Sequence, residues 1–145
     1  MLQGDLERNI KKIKRSLINK SVAAVESACA NIMHQIILAI SFLHKQNCIH
    51  RDLKPANVLL KYENMDQEGT KITCKVTDFG FAVKKERQSQ QMSLSLGTAP
   101  YMAPEILAEE YYDQAIDVWA IGIIAFELLF DKRPFDGVDR KQVWN

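Results

Sequence analysis

Little in the composition is extreme, and each shortage excludes something. Cysteine is scarce: Cys29, Cys48 and Cys74 are the only three in 145 residues. Their spacings fit no zinc or redox pattern, and an odd number argues against a disulfide framework. Cys29 falls on an apolar helical stripe and Cys74 in a strand-like run. They read as buried, reduced thiols of a cytoplasmic or nuclear protein. An excess of one charge is also missing. Lys and Arg number 19 against 18 Asp and Glu, a net of +1, so nothing suggests a nucleic-acid partner. With 47% hydrophobic and 26% charged residues the chain is neither disordered nor collagen-like. No signal peptide opens it, because Gly4, Asp5 and Glu7 follow Met1 too closely. The longest apolar run, Ala115 to Phe130, holds Asp117 and Glu127 and is too short to span a bilayer, so no membrane span is expected. A chain of this length suits one domain.

The apolar pattern is mostly helical. Residues 5–17 carry Leu6, Ile10, Ile13 and Leu17 at helical spacing behind Asp5, a capping residue. Glu7 and Lys11 add an i,i+4 pair. The basic residues here, Arg8, Lys11, Lys12, Lys14, Arg15 and Lys20, read as a solvated face, with a docking patch as the alternative. Asn19-Lys20 breaks the pattern. Ser21 then caps a longer helix to about Lys45, with Val25, Cys29, Ile32, Ile36, Ile40 and Leu43 inward. His34 and His44 on it read as surface or satisfied core residues.

Strand signals follow. Val58-Leu59-Leu60 and Ile72-Thr73-Cys74-Lys75-Val76-Thr77 are joined by the polar stretch Tyr62 to Thr70, whose Asn64, Asp66 and Gly69 are turn formers. Together they predict a hairpin that brings Asn57 at one end near Asp78 at the other. Residues 117–130 are hydrophobic all round, which predicts a helix in the middle of a domain. Gly122 within it predicts a close approach by a neighbour. Val138 to Asn145 opens another helix. The fold class is therefore mainly α with a small β-hairpin.

One stretch organises the rest. In His50-Arg51-Asp52-Leu53-Lys54-Pro55-Ala56-Asn57, a carboxylate, an ammonium and an amide fall within six residues. Pro55 stiffens the loop between them. A hydroxyl-activating base, a phosphate-neutralising cation and a metal-coordinating amide are the groups that phosphoryl transfer needs. Asp78-Phe79-Gly80 follows 26 residues after Asp52. Its carboxylate suits magnesium, which prefers oxygen ligands.

These motifs resemble those of protein kinases. The first is similar to the catalytic loop, Asp78-Phe79-Gly80 to the magnesium triplet, and Gly97-Thr98-Ala99-Pro100-Tyr101-Met102-Ala103-Pro104-Glu105 to the substrate-side segment. Lys54 and the Gly-Thr opening are similar to the serine/threonine class. The resemblance implies ATP and Mg²⁺ as cofactors and Ser/Thr-containing proteins as substrates. It implies Asp52 as base, Lys54 at the γ-phosphate, Asn57 and Asp78 at the metal, and Leu59 as the floor of the nucleotide pocket. Thr98 is implied to bond near Asp52 and Lys54. Asp117 is implied to receive backbone N–H bonds that hold His50 and Arg51, and Glu105 belongs to the scaffold. Phe79 is expected to pack beneath the triplet, and Gly80 to take backbone angles that other residues avoid. Residues 81–96 are implied to be an activation loop with Ser93 or Ser95 as phosphosite and Arg51 as its partner. Regulation by a partner protein or an upstream kinase follows from that reading. Glu127 is read as a helix-end charge, with recognition of a substrate Arg as the alternative.

The resemblance covers the central part of a kinase large, C-terminal lobe, truncated at both ends. The glycine-rich phosphate loop and its lysine are not in the sequence. Two readings stay open: the catalytic portion of a serine/threonine kinase, or a non-catalytic lobe that acts as an interaction module.

Overall fold

A computed structural model describes residues 4–17, 21–65, 69–84, 97–135 and 137. Four helices and four strands follow in chain order: α1 (Leu6–Leu17), α2 (Val22–Lys45), β1 (Cys48–Ile49), β2 (Val58–Met65), β3 (Gly69–Val76), β4 (Val83–Lys84), α3 (Pro104–Leu107) and α4 (Ala115–Phe130). The expected break at Asn19-Lys20, the phosphosites Ser93 and Ser95, and the helix from Val138 lie outside the described residues.

α1 starts where Asp5 Oδ1 accepts the Arg8 N–H at 2.8 Å. Its buried side carries Leu6, Ile10 and Ile13. α2 starts at Ser21, whose hydroxyl accepts the Ala24 N–H. Cys29, Ile32, Ile36 and Ile40 line its buried face. Each such Ile contributes about 1.5–3 kcal/mol by leaving water. They meet Leu53, Val58 and Leu60 beside the hairpin and Ala120, Ile123, Ile124 and Leu128 of α4 in one core. By length and composition α2, and not the run at residues 115–130, is long and apolar enough to cross a membrane. In this fold its inner face packs on β3 and α4.

β2 and β3 pair antiparallel from Val58↔Val76 to Met65↔Gly69. The hairpin is longer than the sequence suggested. Backbone pairing continues through Glu63↔Lys71 and Asn64↔Thr70, since the ladder uses main-chain groups whatever the side chains are. Its outer border on β2 is taken by residues 4 and 5: Leu60 donates its N–H to Gly4 O at 2.9 Å, and Asp5 bridges Leu59. On the β3 border, Gln35 of α2 accepts the Cys74 N–H at 2.8 Å and donates to Ile72 O at 2.9 Å.

A second two-stranded sheet pairs β1 with β4, Cys48↔Lys84 and Ile49↔Val83. Both strands are two residues long, too short for any periodicity to show in sequence. Beneath it Ile49, Met102, Ala103, Ile106, Tyr112 and Ile116 form a smaller core.

Two expectations for α4 need correction. The helix buries one face, and Val118 on the other is 59% exposed. Gly122 has nothing within 4 Å of where a Cβ would stand, so close packing is not its reason.

Candidate active site

The loop after β1 is held from below by one carboxylate. Asp117, in the first turn of α4, is buried. Its Oδ2 accepts the His50 N–H at 2.9 Å, and its Oδ1 accepts the Arg51 N–H at 3.0 Å. Arg51 has φ +69°, a left-handed conformation that costs a non-glycine residue about 1–3 kcal/mol unless its surroundings enforce it. The paired bonds supply that enforcement. His44 Nε2 lies 2.8 Å from Asp117 Oδ2, and Gln114 Nε2 donates to His44 O. Because a carboxylate only accepts, the His44 proton sits on Nε2. His44 is thus satisfied, and its partner belongs to the same loop support.

His50 is fully buried. Its Nε2 faces Thr77 O at 3.1 Å, while Nδ1 faces the Asp52 N–H at 3.4 Å. The tautomer with its proton on Nε2 serves both contacts. It ties the loop to the end of β3.

Above this support, Asp52 collects donors. Lys54 Nζ donates to Asp52 Oδ2 at 2.8 Å and to Thr98 Oγ1 at 2.7 Å. Thr98 Oγ1 donates to Asp52 Oδ1 at 2.9 Å. Asn57 Nδ2 donates to Asp52 O at 2.8 Å and reaches Oδ2 at 3.2 Å. Asp52 is buried and Lys54 only part-buried. Pro55 starts a short 3₁₀ turn that delivers Asn57 to the head of β2. Leu59, one residue into β2, is half-buried opposite Lys75. Gly97, at φ +123°, brings Thr98 in. A Cβ there would stand 2.8 Å from Arg51 O, so only glycine lets the two segments pass.

Thr77 donates its N–H to Asn57 O at 2.9 Å, so the hairpin brings the approach to Asp78 beside Asn57. Asp78 itself takes the left-handed conformation, φ +63°. Its Oδ1 accepts the Gly80 N–H at 3.3 Å, a local bond that makes this conformation tolerable for aspartate. The unusual angle expected of Gly80 therefore belongs to Asp78. Phe79 is not packed under the triplet: it is 50% exposed, with its ring 5.4 Å from that of His50.

For magnesium the donor set is partial and of the right kind. Asn57 spends its Nδ2 on Asp52, which leaves its carbonyl oxygen for a cation. The exposed Asp78 adds a carboxylate. Hard oxygen donors in small number match an ion that keeps waters and nucleotide phosphates as its other ligands. Among the described residues no cluster of three or more His, Cys, Asp or Glu competes for a metal.

Further residues frame the site. Arg51 Nε donates to Phe81 O, and its Nη1 donates to the Tyr112 hydroxyl at 3.2 Å. Tyr101 donates its hydroxyl to Glu127 Oε2 at 2.7 Å. Burial first, then that bond, holds the Tyr101 phenol well above its usual range. Glu127 is thus more than a helix-end charge. Glu105 opens α3 half-buried, its carbonyl accepting the Glu110 N–H at 2.8 Å. Tyr112 and Tyr101 were not legible as site residues, because nothing in the residues flanking either tyrosine says what its hydroxyl meets.

This chain belongs to the protein kinase domain family, whose pattern it matches over residues 3–145. It is 32% identical over 120 residues to an Aurora kinase of Debaryomyces hansenii, covering 82% of this chain and 27% of the relative. It is 42% identical over 110 residues to a calcium/calmodulin-dependent protein kinase type 1 of Caenorhabditis briggsae, covering 76% and 29%. It is 38% identical over 128 residues to a cAMP-dependent protein kinase catalytic subunit of Dictyostelium discoideum, covering 88% and 18%. The chain thus spans less than a third of each of these relatives.

Proposed function

We propose that this chain is the catalytic portion of a protein serine/threonine kinase that uses ATP and Mg²⁺, corresponding to the central part of the large lobe. The single observation behind it is the convergence of Lys54, Thr98 and Asn57 on the Asp52 carboxylate. That arrangement holds an acceptor buried yet facing the segment where a substrate would lie.

In this reading the substrate hydroxyl replaces Thr98 or Lys54 as a donor to Asp52. The carboxylate would orient the hydroxyl and take up its proton as the oxygen bonds to the γ-phosphorus and the bond from that phosphorus to the ADP leaving group breaks. Lys54 Nζ, already shared between Asp52 and Thr98, turns to the transferring phosphate oxygens and neutralises their charge. Asn57 and Asp78 would hold magnesium, and Leu59 would line the nucleotide pocket. When bound, MgATP would supply the phosphoryl group, with the magnesium ion offsetting its negative charge. His50, Asp117 and Glu105 keep the frame. A regulatory protein, an upstream kinase acting at Ser93 or Ser95 to tune the site rather than assemble it, and a cytoplasmic or nuclear location go with this reading.

Asp52→Asn in the full-length protein tests it. The amide cannot accept the proton, so transfer to protein substrates is expected to vanish while MgATP binding remains. Retained turnover refutes the role of Asp52. An ATP titration that finds no binding with Mg²⁺ favours the interaction module.

A further inference from the structure

Arg51 is anchored at both ends. Its backbone N–H is bound by Asp117, and its guanidinium joins Phe81 O to the hydroxyl of the buried Tyr112. Phe81 is three residues beyond Asp78, and Val83 pairs with Ile49 two residues before Arg51. The guanidinium therefore ties the strand leaving Asp78 to the catalytic loop, and Tyr112 fixes where that guanidinium sits. Tyr112 is itself set in the smaller core, packed with Ile49, Met102 and Ile116.

We propose that Tyr112 is a positioning residue whose hydroxyl holds Arg51 against Phe81, so that Asp52 and Asp78 are kept in register without a phosphate on the segment after Asp78. The inference rests on the kinase reading and names a form of regulation for that site. The reasoning is one of valence and geometry. Arg51 needs acceptors for a rigid planar fork. A carbonyl and a phenol oxygen supply them here with no charge, and the phenol is fixed by its place in the smaller core. The bond between β1 and β4 is too short to hold the exit strand alone, since two-residue strands are marginal. Thr98 is likewise already seated on Asp52 and Lys54 in the same arrangement.

The test compares full-length wild type, Tyr112→Phe and Arg51→Lys, each before and after treatment with a broad phosphatase. Tyr111→Phe, at the exposed neighbouring ring, is the control. Two readouts are taken: transfer to a generic protein substrate, and amide hydrogen exchange over residues 79–84. Treated wild type is expected to stay within about threefold of untreated, whereas treated Tyr112→Phe falls by about tenfold or more, the scale of one charge-assisted hydrogen bond. Arg51→Lys is expected to match it, and the double variant to be no worse, because both remove one shared interaction. Exchange at 79–84 rises in each variant and stays put in Tyr111→Phe. The proposal is overturned if treated wild type loses its activity, or if Tyr112→Phe matches wild type in both readouts. Should no form transfer phosphate in either state, the kinase reading fails; exchange then decides the tether alone, and unchanged protection in Tyr112→Phe overturns it.

Discussion

His44 Nε2 and Asp117 Oδ2 stand 2.8 Å apart, and the same oxygen accepts the His50 N–H at 2.9 Å. One carboxylate therefore gathers a side chain from α2 and two amides from the loop that bears Asp52. Removing any donor leaves part of a buried charge unanswered. His44→Phe is expected to cost about 1–3 kcal/mol of stability. Urea unfolding monitored by circular dichroism measures it. In the full-length protein the same change should lower kcat more than the KM for ATP, because the loop moves and not the nucleotide site.

Thr98 separates shape from chemistry. Thr98→Ser keeps the hydroxyl that joins Lys54 to Asp52, so turnover is expected within a few-fold of wild type. Thr98→Ala leaves the buried Asp52 and the part-buried Lys54 short of a partner and should reduce turnover by about tenfold or more, the scale of a lost hydrogen bond to a charged group. Steady-state kinetics of the pair distinguish the two outcomes.

Gly97→Ala should be severe for reasons of space. The added methyl meets Arg51 O at 2.8 Å, and φ +123° disfavours any side chain. A loss of about 1–3 kcal/mol is expected from the strained backbone alone. Thermal unfolding of the variant measures it.

Cys74 gives a pH dependence. Burial pushes its thiol up to about 11 from an ordinary value near 9. The folded state keeps the proton longer than the unfolded state does. The stability it contributes is complete below about pH 9 and is lost as pH rises through about 11. Tyr101 moves in the same direction for the same first cause. Urea midpoints measured upward from pH 8 should fall, and Cys74→Ser should make that fall shallower. Iodoacetamide should label Cys74 slowly at pH 8.5 in folded protein and readily in urea.

Much of this was legible because periodic segments announce themselves. Leu6, Ile10 and Ile13, then Cys29 through Ile40, repeat at helical spacing and are buried as expected. The loop from His50 to Asn57 was legible from chemistry: a carboxylate, an ammonium and an amide at short spacing have few other reasons to cluster. What escaped was long-range or local to the backbone. Nothing in residues 44 and 117 says that they meet, since 73 positions separate them. The left-handed turn at Asp78 depends on its own side chain reaching Gly80, which the neighbouring glycine concealed. Gly122 suggested crowding by composition alone, and the space around it is open.

Gln35 is the last case, and it carries the widest consequence. Its amide satisfies Cys74 and Ile72 along one border of the hairpin, while residues 4 and 5 occupy the other through Leu59 and Leu60. A sheet with unused main-chain groups invites a foreign strand to dock edge-on. Here the middle of the β3 margin and the start of the β2 margin are already spoken for, so a visiting polypeptide has no ladder to extend at those positions. Recognition of this chain at those positions must run through side chains and helix faces instead.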